Sequence, residues 1–183
     1  HAMACSAEHI MHFTDDCLMP PAILDNLLED LRSSEKESII GPAYTGLDPN
    51  GESVCLHIDT NDKLSPLVPL FQIMKKETAE KVGGLDKRFQ AIYWDLDRLL
   101  RFHALGNIDF RVREDIRISE VPAYKNSDGL YAKYGKVDMK LLKDIWVWPN
   151  KSNPHLRLER KDKVQFYTLE ELEFNNKINS TIT

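Results

Sequence analysis

The sequence predicts an α+β fold: a single domain with an antiparallel or mixed sheet. The chain has 183 residues, 42% hydrophobic and 29% charged, as in a globular protein long enough to bury a core. Apolar residues recur at helical spacing after Pro20 and alternate with a period of two from about residue 108. We place the domain at residues 20–174. A polar leader at 1–19, whose first two residues look like a cloning scar, precedes it, and a frayed polar tail at 175–183 follows.

The first element is an amphipathic helix in the stretch MPPAILDNLLEDLRSSEKES. Pro20 or Pro21 suits its first turn, because the N–H that proline lacks has no helical partner there. One side carries an apolar stripe, and the other carries acidic residues. The stripe is Ile23, Leu27, Leu28 and Leu31, and the acidic residues are Asp25, Glu29 and Asp30. We expect this helix to lie on the core and expose an acidic face.

A hairpin and a second helix are predicted next. The segment Asp48-Pro49-Asn50-Gly51 is typical of a β-turn and predicts strands near residues 43–47 and 53–59. The second helix is predicted near residues 65–82, with a serine cap and a proline at its start. The Gly83-Gly84 pair is expected to end it.

Two strands and two short helices complete the prediction. The first strand is QAIYWDL, ending near Leu96, and the second is IDFRVREDIRISEV. The second strand alternates so that four apolar residues share one face: Phe110, Val112, Ile116 and Ile118. A short helix is predicted in VDMKLLKD. A C-terminal helix is predicted in TLEELEF, opened by a capping box between Thr168 and Glu171.

The stretch GGLDKRFQAIYWDLDRLL carries the most specific chemistry in the chain. In a strand, Asp95 and Asp97 point to the same side, about 7 Å apart. A Gly-Gly pair followed by Asp-Leu-Asp resembles the signature of polymerase-β-like nucleotidyltransferases. The resemblance implies that Asp109 supplies a third carboxylate and that Mg²⁺ or Mn²⁺ is the cofactor of a phosphoryl or nucleotidyl transferase or nuclease. The alternative, which we favour, is a solvated strand face in a protein without a cofactor.

The cysteine and apolar patterns indicate the compartment. Three cysteines, an odd and sparse set, fit a reducing intracellular environment better than a disulfide framework. Cys5, His9, His12 and Cys17 are zinc-compatible residue types, but their spacing matches no standard zinc finger. No apolar run approaches the ~18 residues that span a bilayer, so we expect no membrane partner.

The charges are segregated along the chain, whose net charge is −5. Residues 1–120 carry 13 basic and 21 acidic residues, a net of −8, whereas residues 121–163 carry 10 basic and 5 acidic, a net of +5. Tyrosines and tryptophans are interleaved with the basic residues of the second region. The predicted contact residues are Tyr124, Tyr131, Lys133, Tyr134, Lys136, Trp146, Trp148, Arg157 and Arg160.

This segregation favours a non-enzymatic intracellular binding or regulatory module that contacts a charged protein partner. Self-association, acidic surface against basic surface, is one form of such contact. The main alternative for the tract at residues 124–163 is RNA or DNA binding, in which lysines neutralise phosphates and exposed aromatic rings stack on bases.

Overall fold

The computed structural model describes residues 6–13, 17–19, 21–45, 71–120, 129–147, 157–168 and 170–171. Within these residues the chain forms four helices, one mixed sheet and a separate two-stranded sheet, which confirms the α+β prediction. The turn predicted at Asp48-Gly51, the strand predicted near residues 53–59 and the polar tail at 175–183 lie outside the described residues. Of the strand predicted near residues 43–47, residues 43–45 are described and belong to the strand Ser38–Thr45. None of the helices in the described ranges has the length and apolar composition that a membrane crossing requires.

Five strands of the main sheet lie within the described ranges. They are β1 (His9–His12), β2 (Cys17–Leu18), β3 (Ser38–Thr45), β4 (Gln72–Lys75) and β5 (Asp109–Glu120). Their order is β1-β4-β3-β5-β2. Among these described strands β3 and β5 pair in parallel, and the other three pairs are antiparallel. Two of the strands lie within residues 1–19, which corrects the prediction of a leader outside the domain: β1 adds to the edge at β4, and β2 adds to the edge at β5.

Helix α1 (Pro21–Ser33) covers one face of the sheet and confirms the amphipathic pattern. Its buried residues Ile23, Leu27 and Leu31 pack against a cluster contributed largely by the sheet. That cluster comprises Ile40, Phe71, Ile73, Ile116 and Ile118. The acidic face is only partly free, because Asp30 forms an ion pair with Arg113 of β5.

Helices α2 (Lys76–Val82) and α3 (Trp94–Leu105) cover the opposite face. Phe102 of α3 is fully buried there, in a cluster with residues of three strands and of α2. The cluster comprises Ile10, Ile39, Met74, Ala79 and Val82. The sheet is therefore sandwiched between helices, and side chains from both of its faces are removed from water.

Helix α4 (Leu130–Ile145) packs on α3, away from the sheet. It continues directly into strand β6 (Trp146–Val147), which pairs with β7 (Glu159–Arg160) in the small antiparallel sheet. The cluster that joins α4 to α3 comprises Phe89, Leu99, Leu100, Leu142, Ile145 and Trp146. Helix α4 is longer than the predicted segment VDMKLLKD, since it also includes the residues of LYAKYGK.

Two predicted elements have a different structure. The structure describes the predicted helix near residues 65–82 only from Phe71 onward. In that part Lys76–Val82 is helical, whereas Gln72–Lys75 forms β4, because its apolar residues fill the sheet between β1 and β3. Gly83 does end the helix, with φ of 74°. The segment QAIYWDL is no strand: α3 begins at Trp94, after Tyr93 in a left-handed conformation. Aspartates in the first turn suit a helix, because they complement the positive end of its dipole.

The pairing of β3 with β5 changes register in the middle of the sheet. Pro42 pairs with Arg113, but the next residue, Ala43, pairs with Arg117. The three residues of β5 between these two pairs, 114–116, therefore have no register partner in β3. Successive side chains of a strand point to opposite faces, so an odd number of extra residues exchanges the faces beyond the bulge.

The exchange of faces corrects the prediction for the apolar residues of β5. Phe110 packs on the side of α2 and α3, whereas Ile116 and Ile118 belong to the cluster beneath α1. The prediction that these residues share one face with Val112 is therefore wrong. Glu114, the polar residue that interrupts the apolar pattern, is exposed within the three extra residues.

Candidate functional site

Asp97 is a fully buried helical residue, not a solvent-facing strand residue. Its Oδ2 accepts a hydrogen bond from Arg101 Nε at 3.0 Å. Its Oδ1 accepts one from Arg160 Nε at 3.0 Å and one from Trp146 Nε1 at 2.9 Å. Both oxygens are thus taken by donors from α3, β6 and β7. A carboxylate bonded in this way holds the helix against the small sheet and has little capacity left for a metal ion.

The same network includes a second fully buried carboxylate, Asp86, in the loop after α2. Arg88 donates to both of its oxygens, and Arg160 Nη2 donates to Oδ2 at 2.5 Å. Burial alone would raise the pKa of Asp86, but the hydrogen bonds from these two arginines outweigh it and lower the pKa below its ordinary value. Arg88 also reaches Asp162, so the charges in this cluster are closely matched.

Backbone carbonyls complete the network. Arg101, besides its bond to Asp97, donates to the carbonyl oxygen of Val82 and to that of Gly84, the latter at 2.8 Å. These oxygens lie at the end of α2, where a helix leaves carbonyls without helical partners. The network therefore connects the end of α2 to α3 and β7, and every charged group in it has a partner. We interpret it as structural.

Asp138 of α4 is a third fully buried carboxylate. It accepts hydrogen bonds from three consecutive backbone N–H groups, those of Gln90, Ala91 and Ile92, at 2.8–3.2 Å. These groups belong to the loop that leads into α3. No sequence pattern indicated this role, since Asp138 is a single acid between lysines. These N–H groups have no partner from a helix or a sheet, and the carboxylate of Asp138 supplies the acceptor that they need.

The three residues of the predicted metal site do not form a ligand group. Asp95 accepts a hydrogen bond from the backbone N–H of Leu96, and Asp109 pairs with Arg111 at 2.6 Å near the surface. Among the residues that the structure describes, no group of three or more His, Cys, Asp or Glu residues is arranged to hold a metal ion. The resemblance to nucleotidyltransferases depended on strand geometry, and the helix removes that basis for Asp95 and Asp97.

The outer face of α4 combines cations with exposed apolar side chains. The exposed lysines are Lys133, Lys136, Lys140 and Lys143. Leu130 and Val137 are 63% and 59% exposed on the same helix. Lys133 Nζ lies 4.8 Å from the ring centroid of Tyr134, which is half-buried. Sequence reasoning identified Lys133 and Lys136 but missed the apolar pair, because the first half of the helix was not recognised as helical.

The other predicted contact residues are distributed differently. Arg157 is exposed. Trp146 is 1% exposed and Arg160 belongs to the buried ionic network, so neither offers the surface that was predicted. Tyr124, Trp148 and the side chain of Tyr131 lie outside the part of the chain that the structure describes.

A surface pocket of about 480 Å³ lies beside the lysines of α4. It is lined by Tyr93, Ala132, Gly135, Lys136 and Met139. Among the described residues of this lining, Lys136 is the single charged one, and the others are apolar or aromatic. The pocket is therefore suited to an apolar group with a negatively charged group next to it.

Comparison with known proteins gives no family to which the chain can be assigned: no protein-family model matches it, and no curated protein sequence matches it significantly.

Proposed function

We propose that the protein is a non-enzymatic binding module whose α4 surface, defined here as Lys133, Lys136, Lys140, Lys143, Leu130 and Val137, contacts an acidic segment of a protein partner. The observation that carries the proposal is the combination on one helix face of four exposed lysines with two exposed aliphatic side chains. Lysines attract an acidic partner and steer its approach, while apolar area supplies affinity once contact is made. Only Lys140 has an acidic partner among the described residues, Asp144.

The same geometry favours a protein partner over a nucleic acid. Sequence-tolerant binding of single strands needs exposed aromatic rings on which bases stack. Near the α4 surface, Trp146 is buried and Tyr134 is half-buried, with the ammonium group of Lys133 over its ring. Exposed Leu130 and Val137 would add little to phosphate recognition.

The pocket beside Lys136 refines the expected partner. An apolar side chain of the partner would occupy the space lined by Ala132 and Met139, and a neighbouring carboxylate would pair with Lys136. We therefore expect the partner segment to contain acidic residues interspersed with leucine or another aliphatic residue. An intracellular location, expected from the sparse cysteines, belongs to the same proposal.

The test compares two labelled probes by fluorescence anisotropy: a short peptide of glutamate and leucine residues and a single-stranded oligonucleotide. The decisive variant is Lys133→Glu/Lys136→Glu. Its control is Arg32→Glu/Lys36→Glu, which changes the net charge equally at two exposed positions away from α4. We expect the peptide to bind the wild type and the control, and to lose at least tenfold in affinity with the α4 variant.

Three results would contradict the proposal. Peptide binding that both double variants weaken equally would reflect net charge alone. Tighter binding of the oligonucleotide, with an affinity that falls steeply with salt, would favour the nucleic-acid alternative. Binding of neither probe, together with no concentration-dependent self-association by analytical ultracentrifugation, would leave the α4 surface without a function. Self-association that the α4 variant abolishes would identify a second copy as the acidic partner.

A further inference from the structure

Arg98 of α3 is a buried cation with no acidic partner in the described part of the chain. The residue is only 9% exposed, on the side of the sheet covered by α2 and α3. Its Nη2 lies 3.9 Å from the sulfur of Met74, and its guanidinium carbon lies 5.2 Å from the ring centroid of Phe102. Its Nε is buried without a hydrogen-bond partner. A thioether sulfur and an aromatic ring compensate the charge poorly, since a buried cation ordinarily needs an anion and full hydrogen bonding.

A second buried polar group lies under the same sheet face. Gln72 of β4 is 2% exposed, and its Oε1 has no hydrogen-bond partner. Gln72 and Met74 are two residues apart on one strand, so their side chains point to the same face. The amide whose oxygen has no partner therefore neighbours the methionine that Arg98 touches.

His12 and Trp94 complete the surroundings. His12 of β1 is the register partner of Gln72, which places the two side chains next to each other on one face. The rings of His12 and Trp94 meet edge-on, with their centroids 5.0 Å apart. Trp94 precedes Arg98 by four residues on α3, so these side chains lie on one side of the helix. These residues therefore lie next to one another between the sheet and the start of α3.

The charge states in this region are suited to an anion. Burial, and then the charge of Arg101, lower the pKa of Arg98 to about 10, so the guanidinium is still charged at neutral pH. Burial, and then the charge of Arg98, lower the pKa of His12 to about 4, so the imidazole is neutral and keeps one N–H donor. Neither acid close to Arg98 on α3 forms an ion pair with it. Burial raises the pKa of Asp95, whose carboxylate accepts a hydrogen bond from a backbone N–H. The carboxylate of the adjacent Asp97 accepts its hydrogen bonds from other side chains.

We propose that Arg98, His12 and Gln72 form a binding site for the oxyanion of a small molecule, a phosphate or a carboxylate. Such an anion would neutralise Arg98, accept a hydrogen bond from its unpartnered Nε and accept another from His12. The amide of Gln72 offers both a donor and an acceptor, so it can pair with an ionised or a protonated oxygen. Trp94 would cover the anion from the side of α3 and exclude water.

The site is tested by thermal unfolding of the whole chain in sodium phosphate, sodium sulfate or sodium acetate, each matched in ionic strength with sodium chloride. A ligand that binds only the folded state raises its stability in a saturable way. We expect this rise with at least one of the three anions in the wild type. Arg98→Met should weaken the fitted affinity at least tenfold. The control Arg111→Met, which removes an exposed arginine, should leave it unchanged.

The anions also distinguish the source of the ligand. A rise with phosphate and sulfate indicates a phosphorylated ligand, and a rise with acetate alone indicates a carboxylate. No saturable rise with any anion would overturn the proposal, as would equal rises in the wild type and Arg98→Met. Should Arg98→Met fail to fold, the wild type itself provides the readout: the side-chain Nε–H resonance of Arg98 must shift on titration with the anion, and an unchanged resonance overturns the proposal.

Discussion

Replacing Asp97 by asparagine is expected to destabilise the protein strongly, because the carboxylate is the shared acceptor for three side chains. Two of the donors are the guanidinium groups of Arg101 and Arg160, whose side chains are 6% and 9% exposed. The third is the indole N–H of Trp146. Asparagine has nearly the same shape, so the change removes charge without creating a cavity.

The magnitude follows from the burial of the partners. Removing one member of a buried ion pair costs about 3–5 kcal/mol, because the remaining charge is left in a medium of low polarity. Asparagine retains a carbonyl oxygen that can serve one donor, so we expect a loss near the lower limit, about 3 kcal/mol. For a domain of this size such a loss lowers the melting temperature by about 6–12 °C.

Equilibrium urea unfolding, followed by tryptophan fluorescence, measures this loss. The matched control is Asp109→Asn, whose partner Arg111 is 43% exposed, so that its loss should stay below about 1 kcal/mol. A free-energy change for Asp97→Asn as small as that of the control would refute the description of Asp97 as the centre of a buried network. Both interpretations from the sequence, a metal site and a solvated strand face, leave Asp97 without buried ionic partners and therefore predict that smaller value.

Three further predictions follow from individual contacts. Asp138→Ala should cost about 3 kcal/mol in urea unfolding, because three backbone N–H groups in partly buried hydrogen bonds lose their acceptor. Exposed Asp144→Ala, the control on the same helix, should change little, and a similar loss from both would contradict the assignment. Gly83→Ala should cost about 1–3 kcal/mol, since the φ of Gly83 is 74° and a Cβ there would lie 2.5 Å from Phe166. In the control Gly84→Ala, the new Cβ meets only an ordinary contact at 3.7 Å and should be tolerated. Equal melting temperatures of the two variants would contradict the expected backbone strain at Gly83. Burial, and then the charge of Arg98, lower the pKa of His12 to about 4, so the unfolded chain binds the proton more tightly than the folded one. The free energy of unfolding should therefore fall by up to about 3 kcal/mol as the pH drops from 7 to 4. His12→Gln should remove that part of the pH dependence, and an unchanged dependence would contradict the prediction.

Local patterns with a short range were predicted well. The stripe of Ile23, Leu27 and Leu31 requires only the helical repeat, and these residues are buried as expected. The capping box at Thr168 and Glu171 is also confirmed: the Thr168 N–H donates to the Glu171 carboxylate, and the Glu171 N–H donates to the threonine hydroxyl. Both features depend on residues a few positions apart, so the rest of the chain has little influence on them.

The segment around Asp95 and Asp97 was misread for a different reason. The run from Ile92 to Leu96 alternates apolar and polar residues as a strand does, and the helical pattern becomes visible only with Leu99, Leu100 and Phe102. The loop before α3 can take its form because Asp138, more than forty residues later, accepts its backbone hydrogen bonds. A contact of that range leaves no periodic trace in the sequence.

The sequence by itself determined the fold class, the amphipathic α1 and the charge segregation, because each depends on composition or on spacing within a few residues. The tertiary structure decided the roles of individual charges. Asp97 is a structural acceptor because Arg101 and Arg160 both donate hydrogen bonds to it. Arg98 is the candidate residue for binding an anion because no acid among the described residues pairs with it. Such roles depend on which distant residues share a buried, weakly polar environment, where the presence or absence of one partner changes the energy by several kilocalories per mole.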